Sequence, residues 1–463
     1  MKYLSTRNSN LDFSFFEILF QGLSKDGGLF LPHEWPYIDI NTLKNKTYQE
    51  VALEVIHPYV FNEISKNDLK KIINESYKGF SHPKIAPVTT IDQNKYILEL
   101  FYGPTFAFKD YALQFLGNLF KYALPKASKK LTVLGATSGD TGSAAIHAFR
   151  GKQDINVFIL HPHNRVSEVQ RRQMTTIQDD NIFNIAIKGT FDDCQKIVKE
   201  LFIDEALQQH TSLTAINSIN WARLMAQVVY YFWSYLQIDQ KEINFIVPSG
   251  NFGNVFSANV AKKMGLPINQ LHITTNQNDI LHSSIKKGLM KKNVVMQTYS
   301  PSMDIQVSSN FERQLFESAG RDSDSINHIF YEFSKNNSYT FDKDIQNDLQ
   351  SSYSTTAVSN DETLNAIKKI KEKYNYLADP HTSTGLHVLL EKEESFPWVS
   401  LACAHPAKFG DAIEKATGEP PTLPKDLSKL FDKEEKMTIL DLSLIHISEP
   451  TRQEAISYAV FCL

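Results

Sequence analysis

A single lysine, Lys109, stands in the apolar and aromatic run Phe101-Tyr-Gly-Pro-Thr-Phe-Ala-Phe-Lys-Asp110. The preceding Tyr96-Ile-Leu-Glu-Leu-Phe101 reads as a buried strand, and Gly103-Pro104 breaks it, so Lys109 falls where a helix should begin. Burial disfavours an ammonium and favours the free amine, which is the nucleophile that forms a Schiff base with an aldehyde such as pyridoxal phosphate. The commoner use of a lysine among apolar neighbours is to bury its stem and keep its head in water.

Three further loops carry chemistry of a compatible kind. Ala136-Thr-Ser-Gly-Asp-Thr-Gly142 follows a strand-like run and opens a helix, a setting in which backbone N–H groups hold a carboxylate or phosphate. Val247-Pro-Ser-Gly-Asn-Phe-Gly-Asn254 repeats the arrangement of strand, glycine-rich turn and helix, and suits a phosphate. It lacks Gly-x-Gly-x-x-Gly and Gly-Lys-Ser/Thr, which counts against dinucleotide and nucleotide binding. His381-Thr-Ser-Thr-Gly385 offers hydroxyls to a ring nitrogen, and Asn217-Ser-Ile-Asn-Trp-Ala-Arg223 sets Ser218, Asn220 and Arg223 at a helix start, where a guanidinium suits phosphate or carboxylate. Each alone is matched by a bland reading: a glycine turn, a capped turn, a surface ion pair. Together they fall at successive strand ends, where α/β sheets place ligands.

The elements that must position these loops follow from the pattern. Between Lys130 and Thr275 short β-branched runs alternate with amphipathic stretches, the mark of a parallel sheet covered by helices. Strands are expected at Leu131–Gly135, Ile155–Leu160, Phe183–Ile187, Leu213–Ile216, Ile243–Val247 and Leu271–Thr275. Helices are expected at Gly142–Phe149, Arg165–Thr175, Asp192–Gln208, Trp221–Tyr235 and Asn254–Met264. Residues 1–90 read as a small, mainly helical N-terminal domain, with helices at Phe13–Leu23, Tyr48–Val60 and Lys66–Tyr77, and residues 91–442 as the catalytic core. Within the core, residues 279–359 read as an irregular polar insertion. A helix at Glu362–Tyr374 and a strand at Val399–Ala404 close the core. Residues 443–463 do not continue the pattern; Leu444-Ile-His-Ile-Ser-Glu-Pro-Thr-Arg452 resembles translated cloning or sequencing adapter, so this tail is expected to be foreign to the folded protein.

Composition bounds the function class. The chain has 463 residues, 42% hydrophobic and 11% aromatic, enough for a large core in two or three domains. A formal charge of -4 with interspersed signs speaks against a nucleic-acid or acidic-membrane partner. Cys194, Cys403 and Cys462 have no metal-type spacing, which points to a reducing compartment and no metal site. The polar N-terminus and the lack of a spanning apolar run lead to the expectation of a soluble cytoplasmic protein without a membrane partner. The absence of an obvious regulatory module favours a monomer.

Taken jointly, the motifs resemble threonine synthase, among the fold type II, or β-family, pyridoxal-phosphate enzymes. The resemblance runs from Met1 to about Leu442. It includes Tyr3-Leu-Ser-Thr-Arg7, Gln21-Gly-Leu-Ser-Lys-Asp-Gly-Gly28, the lysine run, Thr137-Ser-Gly-Asp-Thr-Gly142, Arg165-Val-Ser-Glu-Val-Gln170, Gln173-Met-Thr-Thr176 and Ser249-Gly-Asn-Phe-Gly-Asn254. It implies an α/β fold with two open twisted-sheet subdomains, and pyridoxal 5'-phosphate as cofactor. The implied reaction turns O-phospho-L-homoserine and water into L-threonine and phosphate, the last step of threonine biosynthesis. Carried over by residue, it makes Lys109 the catalytic lysine that bears the cofactor. Gly250, Asn251, Phe252, Gly253 and Asn254 would hold the cofactor phosphate, Asp140 would lie near the ring hydroxyl in place of the Asn of related enzymes, and Thr382 would face the pyridine nitrogen. Thr137, Ser138 and Thr141 would bind substrate, and Ser218, Asn220 and Arg223 would hold its phosphate. Arg7-Asn-Ser departs from the usual Arg-Gly at the entry loop. Rival readings are a threonine synthase-like phospholyase or a serine/threonine dehydratase on the same fold, and a catalytically silent homologue that binds a small phosphorylated ligand.

Overall fold

A computed structural model describes residues 1–126, 130–202, 212–215, 218–393 and 395–442. They fall into two compact units, the first formed by 1–118 with 218–422, the second by 119–217 with the chain from 423 on.

The first unit is built on a six-stranded sheet in the order Tyr353–Ala357, Ile268–Thr275, Ile243–Pro248, Trp398–Ala402, Lys95–Glu99, Val88–Asp92. All neighbours are parallel except the last pair. Ile243-Asn-Phe-Ile-Val-Pro248 is buried at every position, as a central strand covered on both faces must be. Helices Asn360–Tyr374 and Pro380–Glu391 pack on each other, and the second also packs on the sheet, around a core of Ile97, Ile246, Ile370, Leu386, Leu389 and Trp398. Helix Trp221–Leu236 is apolar nearly all round and therefore buried, with Gly253–Lys263 against it. Tyr59 and Tyr48 meet it edge-on, their ring centroids 5.5 and 5.8 Å from those of Trp221 and Trp233.

The N-terminal region has helices at Tyr48–Val60 and Lys66–Tyr77 as expected, the first closed by a capping box between Thr47 and Glu50. The helix expected over Phe13–Leu23 spans Phe15–Gln21, because Ser14 and Glu17 form a capping box at its start and Gly22 turns left-handed at its end, with φ 66°. Of the three-stranded antiparallel sheet Asn8–Phe13, Tyr3–Ser5 and Phe30–Pro32, the sequence shows only a short extended piece at Leu29–Pro32; Tyr3–Ser5 is three residues long and shows no alternation. The stretch 279–359, read as irregular, carries helices Ile280–Lys287, Phe311–Ser318, Ser323–Asn336 and Lys343–Ser352, and ends in the sheet-edge strand Tyr353–Ala357. Its later helices are polar and capped by Asp322 and Asp342, and each buries only a narrow stripe, such as Ile345 and Leu349.

The second unit holds a five-stranded parallel sheet in the order Thr438–Asp441, Ile182–Lys188, Ile155–Pro162, Leu131–Ala136, Ser212–Ala215. Helices Asp140–Phe149, Glu168–Thr175 and Phe191–Phe202 belong to it. The edge strand Thr438–Asp441 was not foreseen. It returns with Glu435, which accepts a two-pronged pair of bonds from Arg171 at 2.9 and 3.0 Å and a third from Thr175 Oγ1 at 2.6 Å. Ile216, Gln208 and the tail 443–463 lie outside the described residues. Among the described residues no helix is long and apolar enough to cross a membrane.

Phe158 and Phe183 stack with centroids 4.5 Å apart in the core of this unit, beside Leu134, Leu160 and Ile197. Phe158→Ala should cost about 3–5 kcal/mol, the usual loss for a buried phenylalanine. A thermal unfolding midpoint equal to that of the wild type would contradict this packing.

Candidate active site

Lys109 is the first residue of the helix Lys109–Ala123 and is 8% exposed. The turn before it is set by Asp110, whose buried carboxylate accepts from Thr105 N at 2.8 Å and Thr105 Oγ1 at 2.7 Å. Gly103 is required here: a Cβ would lie 2.4 Å from that of Asp110. Lys408 Nζ donates to the Thr105 carbonyl at 2.8 Å, and Phe108 N donates to the Cys403 carbonyl at 2.8 Å, which ties the turn to the segment after the strand Trp398–Ala402. Lys109 Nζ lies 4.9 Å from the Phe108 ring centroid and 3.3 Å from Ser302 Oγ.

The glycine-rich turn follows the strand Ile243–Pro248. Ser249 Oγ accepts from Phe252 N at 3.2 Å and Asn251 Oδ1 from Gly253 N at 3.0 Å, and Phe252 adopts a left-handed φ of 67° that is unusual for so bulky a residue. It leads into the helix Gly253–Lys263, whose N-cap residue, Phe252, supplies no side-chain acceptor, Asn251 Oδ1 taking only the first N–H. Gly250 admits the facing loop, since a Cβ there would meet Met303 Cα at 3.0 Å. Asn254 is buried; its Oδ1 accepts from Tyr230 at 2.5 Å and Tyr231 at 2.7 Å, and its Nδ2 has no protein partner. A buried amide donor beside a helix start, on a turn that a glycine keeps open, fits a phosphate.

The same turn reaches the Ser218 segment. Asn251 Nδ2 donates to Ser218 Oγ at 2.6 Å, and Asn310 Nδ2 to the Ser218 carbonyl at 3.3 Å. Buried Arg313 supports this from behind, donating to the Ile219 carbonyl at 2.6 Å, the Phe30 carbonyl at 3.1 Å and the Asn310 side chain. Asn220, expected beside substrate, has its amide engaged by the fold: Oδ1 accepts from Ala222 N at 3.0 Å as the helix cap, and Nδ2 donates to the Leu19 carbonyl at 3.0 Å. Arg223, in the first turn of that helix, is 3% exposed, and burial pushes its guanidinium down to about 10.

Thr382, expected to face the ring nitrogen, has its hydroxyl engaged by the fold. Its hydroxyl donates to Asp379 and accepts from Cys403 N at 2.8 Å, so it would have to turn from Asp379 to serve a ring nitrogen. Asp379, fully buried, further accepts from His381 N and His381 Nδ1, both at 2.9 Å. Sequence reasoning passed over Asp379, Ser302, Asn310 and Arg313. Of these, only Ser302 carries a local signal, the clustered Ser300-Pro-Ser-Met-Asp304 within the stretch that reads as an insertion.

In the second unit, Thr137 Oγ1 accepts from Gly139 N at 3.0 Å and Gly142 N at 2.9 Å, so this hydroxyl shapes its own turn. Asp140 Oδ1 accepts from Gln170 Nε2 at 2.8 Å, and Gly139, at φ 136°, leaves room for that glutamine. Ser138 and Thr141 are partly buried, at the start of the helix Asp140–Phe149, where Thr137 Oγ1 takes the N–H of the third residue, Gly142. Among the described residues no group of His, Cys, Asp and Glu could hold a metal ion.

Burial pushes the Asp110 carboxyl up to about 6, against the bonds from Thr105 and the charge of Lys408. The folded value lies above the ordinary 3.8, so the native state binds this proton more tightly than the unfolded chain. Its contribution to stability is complete below the ordinary value and is lost as pH rises through about 6. Asp110→Asn removes it. The stability of the wild type relative to the variant, from denaturant unfolding at about pH 4 and about pH 7, should fall with rising pH. A flat difference would show that Asp110 does not titrate there.

Three family models match the chain: "Threonine synthase N terminus" over residues 2–77, "Pyridoxal-phosphate dependent enzyme" over 90–339 and "Threonine synthase, C-terminal" over 382–448. The threonine synthase of Pseudomonas aeruginosa is 44% identical over 455 residues, covering 96% of this chain and 97% of that protein. Among solved structures, the pyridoxal-phosphate-bound threonine synthase from Brucella melitensis is 44% identical with a TM-score of 0.92, over 96% of this chain and 97% of that one. The yeast threonine synthase is 40% identical with a TM-score of 0.92, over 100% and 99%.

Proposed function

The chain belongs to the threonine synthase family and is a pyridoxal-phosphate enzyme of fold type II, and from this premise we propose how its residues divide the conversion of O-phospho-L-homoserine and water to L-threonine and phosphate. The observation that carries the assignment is the pairing of a buried lysine at a helix start with a glycine-rich turn that opens a second helix and whose Asn254 presents a buried amide donor without a protein partner.

Lys109 Nζ would hold the cofactor, and the turn Gly250 to Asn254 would take its phosphate through backbone N–H groups and Asn254 Nδ2. When bound, the cofactor supplies the electron sink for the pair released at the substrate's Cα. Lys109 Nζ, once free, would carry protons away from Cα and Cβ and return them to Cγ, after phosphate leaves there, and to Cα, after water adds at Cβ; the proton left over from water goes to the departed phosphate. Arg223 and the Ser218 hydroxyl hold the substrate phosphate. Asn220 acts at one remove, by capping the helix that carries Arg223. Thr137, Ser138 and Thr141, at a second helix start, would bind the substrate carboxylate end, and Asp140, held by Gln170, would serve the ring hydroxyl. Thr382 would serve the ring nitrogen through its hydroxyl. Residues 1–90 form an N-terminal domain on a catalytic core of residues 91–442.

Lys109→Ala should abolish the cofactor's protein-bound absorbance band and nearly all turnover while the circular dichroism stays that of the wild type. Normal turnover by this variant would end the assignment.

Arg223 separates a phosphorylated substrate from a plain hydroxy amino acid. Removing a charge-assisted partner costs about 1.5–3 kcal/mol, so Arg223→Ala should slow turnover of O-phosphohomoserine by roughly one to two powers of ten and spare any deamination of serine. Arg223→Lys should recover part of the loss, because a point charge lacks the planar fork. Equal losses on both substrates would give Arg223 a structural role and favour a dehydratase.

A further inference from the structure

Four residues from three separate stretches of the chain form one hydrogen-bonded line that ends on the reactive amine. Asp379 accepts from His381 Nδ1 at 2.9 Å, which leaves Nε2 of that ring as an acceptor. Nε2 receives Ser302 N at 3.1 Å, and Ser302 Oγ lies 3.3 Å from Lys109 Nζ. Asp379 and His381 are 0% and 3% exposed, whereas Ser302 is partly exposed, so the line runs from the interior to the site. The loop bearing Ser302 is braced separately: Asp304 accepts from Thr298 N at 3.0 Å, Thr298 Oγ1 at 2.7 Å and Asn276 Nδ2 at 2.8 Å. That bracing would suffice if the loop needed only to be ordered. It does not explain why a buried imidazole with a carboxylate behind it is spent on one backbone N–H.

We propose that Ser302 is a further catalytic residue, whose hydroxyl orients Lys109 Nζ, and that His381, fixed in its Nδ1–H tautomer by Asp379, is the positioning residue that sets Ser302. This rests on the assignment of Lys109 as the proton carrier. A freed amine on four methylenes has many rotamers, and only those that aim its lone pair at Cα or Cβ are productive. By accepting one N–H, the Ser302 hydroxyl fixes the direction of the lone pair without consuming it. A hydroxyl placed by its own backbone N–H cannot follow the lysine elsewhere.

The test uses the full-length enzyme and the variants Ser302→Ala, His381→Leu, His381→Gln and the double variant Ser302→Ala/His381→Leu. One hydrogen bond to an amine corresponds to roughly tenfold in rate, so Ser302→Ala should lower kcat about tenfold with KM little changed. It should also slow the reaction of the cofactor-free protein's Lys109 with added pyridoxal phosphate, read as growth of the bound absorbance band. His381→Leu should match both losses and speed amide hydrogen exchange over residues 300–304. His381→Gln, which offers an amide oxygen near the Nε2 position, should recover part of them. Because His381 acts only through Ser302, the double variant should lose no more than Ser302→Ala alone. Wild-type rates in Ser302→Ala, or losses that multiply in the double variant, overturn the proposal. If wild-type protein took up no pyridoxal phosphate, the assignment of Lys109 would fall with it; uptake by the wild type and an equal rate in Ser302→Ala would sink this inference alone.

Discussion

A carboxylate with no exposure to water must be surrounded by donors, and Asp379 organises the first unit through that requirement. It caps the helix Pro380–Glu391 through His381 N and Thr382 N, holds the imidazole of His381 and the hydroxyl of Thr382, and receives Ala404 N at 3.3 Å. One side chain thus joins a helix start, the segment following a central strand and, through His381, the loop facing the glycine-rich turn. The Ala404 segment in turn is bridged to Ala107 in the turn before Lys109. A lysine at a strand end becomes a reactive group in this setting because its surroundings are fixed before any ligand arrives.

Buried cations follow the same logic with carbonyls in place of carboxylates. Lys408 is fully buried and donates to the Thr105 carbonyl; Arg313 is fully buried and spends its fork on Phe30, Ile219 and Asn310. Burial lowers the Arg313 guanidinium to about 9, against the opposing charge of Glu312. The small N-terminal sheet, the helix Phe311–Ser318 and the Ser218 segment are pinned at one point by this side chain. Arg7, at the departure from the family's usual Arg-Gly, pairs with the neighbouring Glu312 at 2.8 and 2.9 Å, so the N-terminal strand is anchored there too.

What could be read from the sequence was what lies close in sequence. Lys109 at a helix start, the two glycine-rich turns after strands, and the helices Tyr48–Val60 and Lys66–Tyr77 all announce themselves by period or by capping residues within four positions. The pairs that complete the site do not. Lys109 and Ser302 are 193 residues apart, and Ser302 and His381 are 79. Nothing local distinguishes a serine that faces an amine from one in a surface loop. Asn220 shows the converse: its residue type suits a phosphate ligand and a helix cap equally, and only the position of Leu19 and Ala222 reveals that its amide is engaged as a cap and a tie. The strand Tyr353–Ala357 stayed hidden because a partly exposed edge of Ser and Thr carries no apolar signal.

The order in which these strands leave the ribosome differs from the order in which they pair. In the six-stranded sheet, Trp398–Ala402 lies between Ile243–Pro248 and Lys95–Glu99, so the two earlier strands wait for a third made some 150 residues after the later of them. In the five-stranded sheet the flank of Ile182–Lys188 stays open until Thr438–Asp441 is made. Neither sheet is complete before nearly the whole described chain exists. A nascent chain halted anywhere before residue 398 exposes unpaired edges of buried, β-branched strands, the segments most prone to join a neighbour's sheet. Such a chain depends on its surroundings during synthesis, and its C-terminal truncations should fail as aggregates rather than as stable partial folds.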